Sequence, residues 1–401
     1  MEIESGAVLE YPSVLRELFD PPADFLALAR EAPMYRLRYA DGRLGWIVLD
    51  HDRARTVLND PRFSVHPGGA AGDDGGFIAT INQFANPGDL LRLDPPAHTR
   101  IRKALTAFFT MQATARLRPK VERIVAELLD EIEATGPPID FVREFSRRVP
   151  SMTICSLLGV PSSDGPKFER PTQVIMSGTR TTQAEKRAAV EAFYDYVRSV
   201  IAEKRKNPGN DLITELLARG ELTDEELAGV TWFLFSAGHD TTSQSFAYMT
   251  YYLLYEPERW QAVRTSGASV DQVVEELLRY LPVFRFSIGA RTALEDVDLG
   301  GYVVKAGEPV TVHLNVLNRD PKRFDHPDEC DPERDSRGHM QFGFGRHMCL
   351  GQHLARLELQ VELAGVMERF PTLRLAVPRD AVSLVPDGFV HGYVVELPVA
   401  W

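Results

Sequence analysis

The sequence predicts a mainly α-helical protein with small β-sheets. Five long segments repeat apolar residues at helical spacing, whereas three short segments toward the two ends of the chain look like strands. Of the 401 residues, 44% are hydrophobic and 25% are charged, which is enough apolar material for a large core. We find no Ser/Gly/Pro linker, low-complexity tract or internal repeat, and we therefore predict a single domain over residues 1–401.

The strand-like segments are short and rich in β-branched residues. LGWIVLD (44–50) alternates into an extended run, LGGYVVKAGEPVTVHL (299–314) is valine-rich around glycine-containing turns, and GYVVELPVAW (392–401) has the same character. We predict a β-rich region formed by residues of about 30–65 and 285–315, with the remainder helical.

Helices are predicted wherever apolar residues recur every three or four positions. The segments are VERIVAELLDEIEA (121–134), AVEAFYDYVRSVIAEKRK (189–206), TDEELAGVTWFLFSAGHDTTSQSFAYMTYYLLY (223–255), SVDQVVEELLRY (269–280) and LGQHLARLELQVELAGVMERF (350–370). Thr223 and Glu226 match the reciprocal capping box that starts a helix, and Ser269 and Gln272 match it again. These pairs fix where the third and fourth of these helices begin.

The stretch from His66 to Leu91 has no clear period and carries five glycines in its first eleven residues. We predict a long loop, and a loop of this length inside a folded domain is typical of an active-site lid.

Composition and charge exclude several classes of protein. The first residues, MEIESGAVLE, lack the basic start and apolar run of a secretory signal, and the longest apolar stretch, LAGVTWFLFSAG, is too short to span a bilayer. The net charge of −12 disfavours a nucleic-acid partner. Cys155, Cys330 and Cys349 form no close pair, as expected in a reducing compartment. We expect a cytoplasmic protein without a membrane anchor.

The stretch FGFGRHMCLG (342–351) holds a cysteine between a glycine-rich turn and a helix. Leucines recur at helical spacing from Leu350 onwards, so a helix begins at or just after Cys349. Free backbone N–H groups and the positive dipole end of a helix favour a thiolate there. Gly343, Gly345 and Gly351 let a bulky planar group approach the backbone. The arrangement suits a thiolate metal ligand.

Two other interpretations of Cys349 remain open from the residues alone. A lone cysteine is most often a buried apolar side chain. A zinc site is suggested by the proximity of His347, Cys349 and His353, although no second cysteine supplies another thiolate. A dinucleotide-binding loop is excluded because Met348 stands where a third glycine is needed.

The pattern Phe342-Gly343-x-Gly345-x-His347-x-Cys349-x-Gly351 resembles the heme-binding loop of the cytochrome P-450 (P450) family, and the resemblance extends over nearly the whole chain. It implies a single triangular-prism-like helical unit with a β-rich region. It also implies heme b (iron protoporphyrin IX) with the Cys349 thiolate as axial ligand of the iron.

The segment AGHDTT (237–242) interrupts a helical pattern with residues that are poor helix formers. From the residues alone it is either a solvated polar turn or a local opening of the helix beside a buried cavity. The resemblance implies that it lies over the heme, where the Thr241 hydroxyl helps to bind O2 and Asp240 relays protons.

Two further groups gain roles from the resemblance. Glu276 and Arg279 lie three apart on a helix, which by itself indicates an exposed ion pair. The resemblance instead implies a buried structural network that Arg334 joins. It also implies hydrogen bonds from His98, Arg102, Arg291 and His347 to the heme propionates, for which cationic side chains are suited.

The activity implied is that of a monooxygenase using O2 and a small-molecule substrate. The sequence holds no flavin or nicotinamide domain, so electrons are expected from NAD(P)H through a ferredoxin reductase and a separate ferredoxin, with the protein a monomer. Arg100, Lys103, Arg346 and Arg356 are candidates for docking this acidic carrier. A peroxygenase and a non-oxygenating heme-binding sensor are the alternatives, and Thr241 counts against both.

By resemblance, the substrate pocket should be lined by Trp232, Ala237, Val283, Arg285, Ile288, Phe389 and Val390. Arg285 stands in an apolar context, LPVFRFSIG, and is either a surface residue or a partner for a substrate carboxylate or other polar oxygen. We expect a bacterial natural product or a steroid-like or terpenoid-like substrate.

Overall fold

Helices make up most of the chain in the computed structural model, which describes residues 8–10, 18–39, 41–66, 87–176, 181–281, 283–284, 289–384 and 394–401. They are α1 (Ala23–Glu31), α2 (His51–Asn59), α3 (Ala97–Thr106), α4 (Met111–Ala115), α5 (Arg118–Thr135), α6 (Arg148–Leu158), α7 (Gly165–Met176), α8 (Gln183–Lys206), α9 (Leu212–Arg219), α10 (Asp224–Tyr255), α11 (Pro257–Thr265), α12 (Val270–Tyr280), α13 (Leu314–Leu317) and α14 (Gln352–Arg369). The predicted fold class is confirmed, and all five predicted helices are present.

The strands are short and belong to small sheets. They are β1 (Val8–Glu10), β2 (Met34–Arg38), β3 (Leu44–Val48), β4 (Phe63–Ser64), β5 (Ile139–Asp140), β6 (Arg291–Ala293), β7 (Val297–Asp298), β8 (Val303–Val304), β9 (Pro309–Val312), β10 (Arg374–Leu375), β11 (Ser383–Leu384), β12 (Val394–Glu396) and β13 (Pro398–Ala400). Most of them fall in the regions where strands were predicted.

The largest sheet joins the two predicted β-rich parts of the chain. Its strand order is β1-β2-β3-β9-β6-β4. Strand β3 pairs in parallel with β9, and β9 continues antiparallel to β6. Arg36 Nη2 donates to Glu308 Oε1 across this sheet at 2.8 Å, between residues 272 positions apart. A second sheet, β10-β13-β5, ties the middle of the chain to its last strand.

Capping side chains set the helix starts, as the sequence predicts. Thr223 Oγ1 accepts the Glu226 N–H, and the Glu226 carboxylate accepts the Thr223 N–H. Ser269 and Gln272 form the same reciprocal pair at α12. Because each pair satisfies two otherwise orphaned donors, α10 and α12 begin at Asp224 and Val270.

The long helix α10 runs through the core and packs against α6, α8 and α14. Its residues are buried nearly all round from Leu227 to Leu254, which is the pattern of a helix enclosed by others rather than one lying at a surface. Cys155 on α6 is fully buried in the same core, as predicted. Within the described part of the chain, no helix has the length and apolar content needed to cross a membrane.

Candidate active site

One cavity of about 280 Å³ brings most of the predicted site residues together. Its wall includes the loop 342–351, the middle of α10, the start of α3 and strand β6. The predicted residues that line it are His98, Arg102, Asp240, Thr241, Arg291, Phe342, Gly343, His347, Cys349 and Gly351. Residues scattered over 250 positions of sequence therefore face one space.

Cys349 lies just before α14, whose first residue is Gln352 and whose N-cap is Gly351. Its N–H donates to Phe342 O at 2.8 Å, which closes the loop on itself. Burial raises the pKa of the Cys349 thiol, while the Gly351 N–H and the charges of Arg102 and Arg356 oppose this rise. The local N–H group and the nearby cations thus favour the thiolate, as predicted, while burial acts in the opposite direction with the larger effect. A bound metal cation would add to the interactions that favour the thiolate.

Two glycines of the loop leave room beside Cys349. A Cβ at Gly343 or Gly351 would meet no atom within 4 Å, and both residues line the cavity. Gly343 also has φ +69°, a conformation that side chains disfavour. Gly345 serves a different purpose, because a Cβ there would lie 2.6 Å from Asn59 Oδ1 on α2. The open face at Gly343 and Gly351 suits a flat group lying against the backbone.

Four basic side chains lie together at one side of the cavity: His98 and Arg291 are buried, and Arg102 and His347 are partly buried. The rings of His98 and His347 are 4.2 Å apart, and neither Nε2 has a hydrogen-bond partner among the described residues. Burial, aided by Arg102 and Arg346, lowers the pKa of His98 to about 4. Burial, with Arg291 next in effect, lowers the pKa of His347 to about 2. Burial likewise lowers the pKa of Arg291 to about 10.

This cluster fits the two propionates of heme b. The negative charge of Asp94 raises the pKa of His98 and of Arg291. Its carboxylate already accepts hydrogen bonds from the Ser64 hydroxyl and the Val65 N–H, however. Those pKa values leave His98 and His347 neutral at pH 7, so Arg102 and Arg291 carry the charge here, and buried cations are stable only when anions accompany them. Two carboxylates entering the cavity would accept N–H hydrogen bonds from the unpartnered ring nitrogens and would pair with the two arginines.

Helix α10 carries the acid and the alcohol of the predicted AGHDTT segment into the cavity. The helix is continuous from Asp224 to Tyr255, so the predicted local opening is not present. The Thr241 Oγ1–H donates to Ala237 O at 2.7 Å, and the Ser245 hydroxyl donates to Thr241 O at 2.8 Å. These short side chains bond back onto the preceding turn, which accommodates them without a break. Asp240 is buried, with its Oδ1 3.8 Å from Arg147 Nη2.

Glu276 and Arg279 form a buried network, whereas their spacing alone suggested an exposed pair. Both side chains have no exposed surface, and Arg279 Nε and Nη2 donate to the two Glu276 oxygens at 2.8 Å. Arg334 Nε lies 3.3 Å from Glu276 Oε1, and Ser336 Oγ donates to Oε2 at 2.5 Å. The network joins α12 to the segment that leads into the Cys349 loop.

The four basic residues proposed to dock the electron carrier differ in whether a carboxylate already pairs with them. Arg100 pairs with Glu226 on α10, and Arg356 pairs with Glu275 on α12. Arg346 Nη2 donates to Asn59 O at 2.7 Å, and Lys103 is exposed. Arg100 and Arg356 are thus already neutralised by carboxylates, a feature that the sequence did not reveal.

The predicted substrate-pocket residues are only partly described. Trp232, Ala237 and Val283 line the cavity. Arg285, Ile288, Phe389 and Val390 lie outside the described residues, as does the loop from 67 to 86. The cavity wall also includes Asp89, which lies in the 66–91 loop that the resemblance placed at the pocket, as well as Arg92 and Glu358, which sequence reasoning missed. Their neighbours in sequence gave no signal, because charged residues beside leucines usually lie on a surface.

The zinc interpretation of Cys349 fails on geometry. Among the described residues, no three His, Cys, Asp or Glu side chains lie close enough to hold a metal ion. The His347 ring instead packs against the His98 ring, with their centroids 4.2 Å apart. The remaining possibilities for Cys349 are a metal centre carried by a cofactor or a buried apolar side chain.

Known proteins resemble the chain over nearly its whole length. A family model described as cytochrome P450 matches residues 168–266 and 268–381. The chain is 40% identical to cytochrome P450-SU2 of Streptomyces griseolus, over 96% of this chain and 94% of that protein. It is 39% identical to nocardicin C N-oxygenase of Nocardia uniformis subsp. tsuyamanensis, over 94% of each. The structure of the LnmA cytochrome P450 hydroxylase from the leinamycin biosynthetic pathway of Streptomyces atroolivaceus S-140 matches with a TM-score of 0.88 and 36% identity, over 98% of this chain and 100% of that one.

Proposed function

The chain belongs to the cytochrome P450 family, and from this premise we propose that it inserts one oxygen atom of O2 into a C–H or C=C bond of a bacterial natural product or a steroid-like or terpenoid-like compound. The enzyme class, an oxidoreductase of the P450 type, follows from the family. The observation that carries the finer proposal is that Cys349, Asp240 and Thr241 face one cavity with a largely apolar wall.

In this proposal the chain holds heme b through Cys349 and the basic cluster. The Cys349 thiolate ligates the iron, while His98, Arg102, Arg291 and His347 bind the propionates. Gly343 and Gly351 leave the space in which the macrocycle lies. Bound heme supplies the iron at which O2 is reduced. The chain positions the substrate, excludes water from the cavity and delivers protons.

The proton donors proposed are Asp240 and Thr241 on α10. Thr241 presents a hydroxyl in the cavity wall, and Asp240 precedes it within the same helical turn. Asp240 Oδ1 lies 3.8 Å from Arg147 Nη2, on a side chain that is about a quarter exposed. We propose that Asp240 takes protons from water and passes them to the Thr241 hydroxyl, while Arg147, which stays protonated and cannot relay a proton, positions the Asp240 carboxylate.

The electron donor proposed is a ferredoxin that receives electrons from NAD(P)H through a reductase. Lys103 and Arg346 are proposed as docking residues, since Arg100 and Arg356 are engaged by Glu226 and Glu275. Charge reversal at both Lys103 and Arg346 should slow reduction by ferredoxin, most strongly at low salt. An unchanged rate and salt dependence would remove these two residues from the docking surface.

The first test is the absorption spectrum of the reduced, carbon-monoxide-bound protein, in wild type and in Cys349→His. A thiolate-type Soret band in the wild type that is lost in the variant supports the ligand assignment. A protein that binds no heme, or a spectrum that the substitution leaves unaltered, contradicts it. Product formation driven by hydrogen peroxide but not by O2 with ferredoxin would favour a peroxygenase instead.

A further inference from the structure

We infer that Arg92, held by Asp89 in the wall of the cavity, donates hydrogen bonds to a neutral oxygen of the substrate, such as a ketone, lactone or hydroxyl oxygen. The inference rests on the proposed function, because it concerns the substrate of the same cavity. It assigns Arg92 as a specificity-determining residue with no part in heme binding or proton transfer.

Arg92 belongs to the segment of the cavity wall that packs against the first half of α10. Gly88, at the start of this segment, is so close to α10 that a Cβ would lie 2.2 Å from the Val230 N and 2.5 Å from Glu226 O. The charge of Arg92 interacts with Tyr194 on α8, whose ring stacks 6.4 Å from that of Trp232. Arg92 and Trp232 thus line one region of the cavity, formed by elements other than the Cys349 loop.

The guanidinium of Arg92 is buried and only half satisfied. Its Nη2 lies 2.7 Å from Asp89 Oδ2, and the two side chains are 9% and 5% exposed. Its Nε and Nη1 are buried and have no hydrogen-bond partner among the described residues. Each buried donor left without an acceptor costs on the order of 1–3 kcal/mol. An oxygen acceptor brought by a ligand would recover that cost.

Arg279 shows what a purely structural buried arginine looks like in this molecule. All three of its nitrogens donate, to Glu276 and to the carbonyls of Asn318, Pro327 and Glu329. Arg92, by contrast, pairs with one carboxylate, and its Nε and Nη1 donate to no described residue although it lines the cavity. The two nitrogens of Arg92 without acceptors thus contrast with the fully paired guanidinium of Arg279.

The charge of Asp89 selects a neutral oxygen over a carboxylate. Asp89 already neutralises Arg92, so a second anion at the guanidinium would lie beside the Asp89 carboxylate and be repelled. The surrounding wall is apolar, with Leu90, Leu91 and Phe233. On α10, Ser236 Oγ is also buried without a partner among the described residues and offers a second polar contact. The ligand that fits has an apolar body and an uncharged oxygen.

The test compares three ring compounds that differ in one group: cyclododecanone, cyclododecane and cyclododecanecarboxylate. Their affinities for the heme-loaded protein are measured by equilibrium dialysis, which does not depend on the heme spectrum. The variants are Arg92→Leu, Arg92→Gln and the matched control Lys204→Leu. Lys204 forms a similarly buried pair with Asp211, at 2.6 Å, outside the cavity wall.

We expect Arg92→Leu to weaken binding of the ketone by about 10-fold, the effect of one buried hydrogen bond, while the affinity for cyclododecane stays the same. Arg92→Gln, which keeps N–H donors, should lose less, and Lys204→Leu should leave all three affinities unaltered. The carboxylate should gain nothing from Arg92.

Equal losses for the ketone and the alkane would overturn the inference, as would a carboxylate that depends on Arg92 more than the ketone does. Failure to detect Arg92-dependent binding of the ketone would overturn it too. None of these results affects the thiolate spectrum of the reduced carbonyl complex. The proposed function and this inference therefore fail in separate measurements.

Discussion

Replacing Glu276 with alanine should be among the most damaging single changes outside the cavity. The Glu276 carboxylate accepts two hydrogen bonds from Arg279, one from the Asp331 N–H at 2.8 Å and one from Ser336. Alanine removes all of them and leaves the Arg279 charge at a position with no exposed surface. Removing one partner of a buried ion pair costs roughly 3–5 kcal/mol.

The carbonyl groups that still face Arg279 limit the loss. Asn318 O and Pro327 O accept from its Nη1 at 2.7 and 2.8 Å and would continue to do so. We therefore expect a decrease of about 4 kcal/mol in the free energy of unfolding, a large part of the 5–15 kcal/mol typical of folded domains. The assay is urea denaturation of the heme-loaded protein, followed by circular dichroism and by heme absorbance.

Two further variants make the result interpretable. Arg369→Ala breaks partly exposed ion pairs with Asp130 and Glu133 and should cost less than about 1 kcal/mol. Replacing Glu276 and Arg279 together with leucine and methionine should recover part of the stability, because the buried Arg279 charge is removed as well and only Arg334 loses its carboxylate partner. A Glu276→Ala protein as stable as Arg369→Ala, or a double variant no better than Glu276→Ala, would refute this account of the network.

Three other predictions concern the cavity. Burial raises the pKa of Glu358 to about 8, so its contribution to stability is full below about pH 4.5 and is lost as the pH rises toward 8. Between pH 5 and 8, the free energy of unfolding of the wild type should fall by up to about 4 kcal/mol more than that of Glu358→Gln, as measured by urea denaturation. If the free energies of the two proteins change in parallel with pH, the prediction is contradicted. Gly343→Ala and the control Gly220→Ala both place a side chain at positive φ in open space, at a cost of about 1 kcal/mol each. Only Gly343→Ala should weaken heme affinity in a hemin titration, and equal affinities would argue against heme lying on this glycine. Thr241→Ala should lower the rate of substrate oxidation by about 10²-fold with substrate affinity unchanged, whereas Thr231→Ala, which removes a similar hydroxyl from α10 outside the cavity wall, should not.

The Cys349 loop was the part of the site that sequence could predict best. Its glycines, histidine and cysteine act within ten consecutive residues, so their spacing survives in the linear chain. The capping pairs of α10 and α12 were predictable for the same reason, because a cap depends on residues three positions apart. A structural feature can be predicted from sequence when all of its interacting residues are close together in the chain.

Features that depend on distant partners could not be predicted. Glu358 and Glu362 are four apart on α14, a spacing that normally marks a solvated face, yet α5, α10 and α12 enclose that helix. The burial of Arg92 arises because its loop is pressed against α10. The local opening of α10, one of the two interpretations of the AGHDTT segment, is absent, because the Thr241 and Ser245 hydroxyls donate back to carbonyls of the same helix and helix propensity takes no account of this.

The pairing of β5 with β13 has a consequence for how the molecule is made. Leu397 N–H donates to Asp140 Oδ1 at 3.0 Å, between residues 257 positions apart. A ribosome that adds about 5–20 residues per second needs on the order of ten seconds to a minute to deliver the second partner. During that interval the face of α5 that packs against α14 lacks its final cover. The yield of native protein in a cell therefore depends on translation speed and on chaperones that shield the unfinished chain, as well as on the stability of the finished fold.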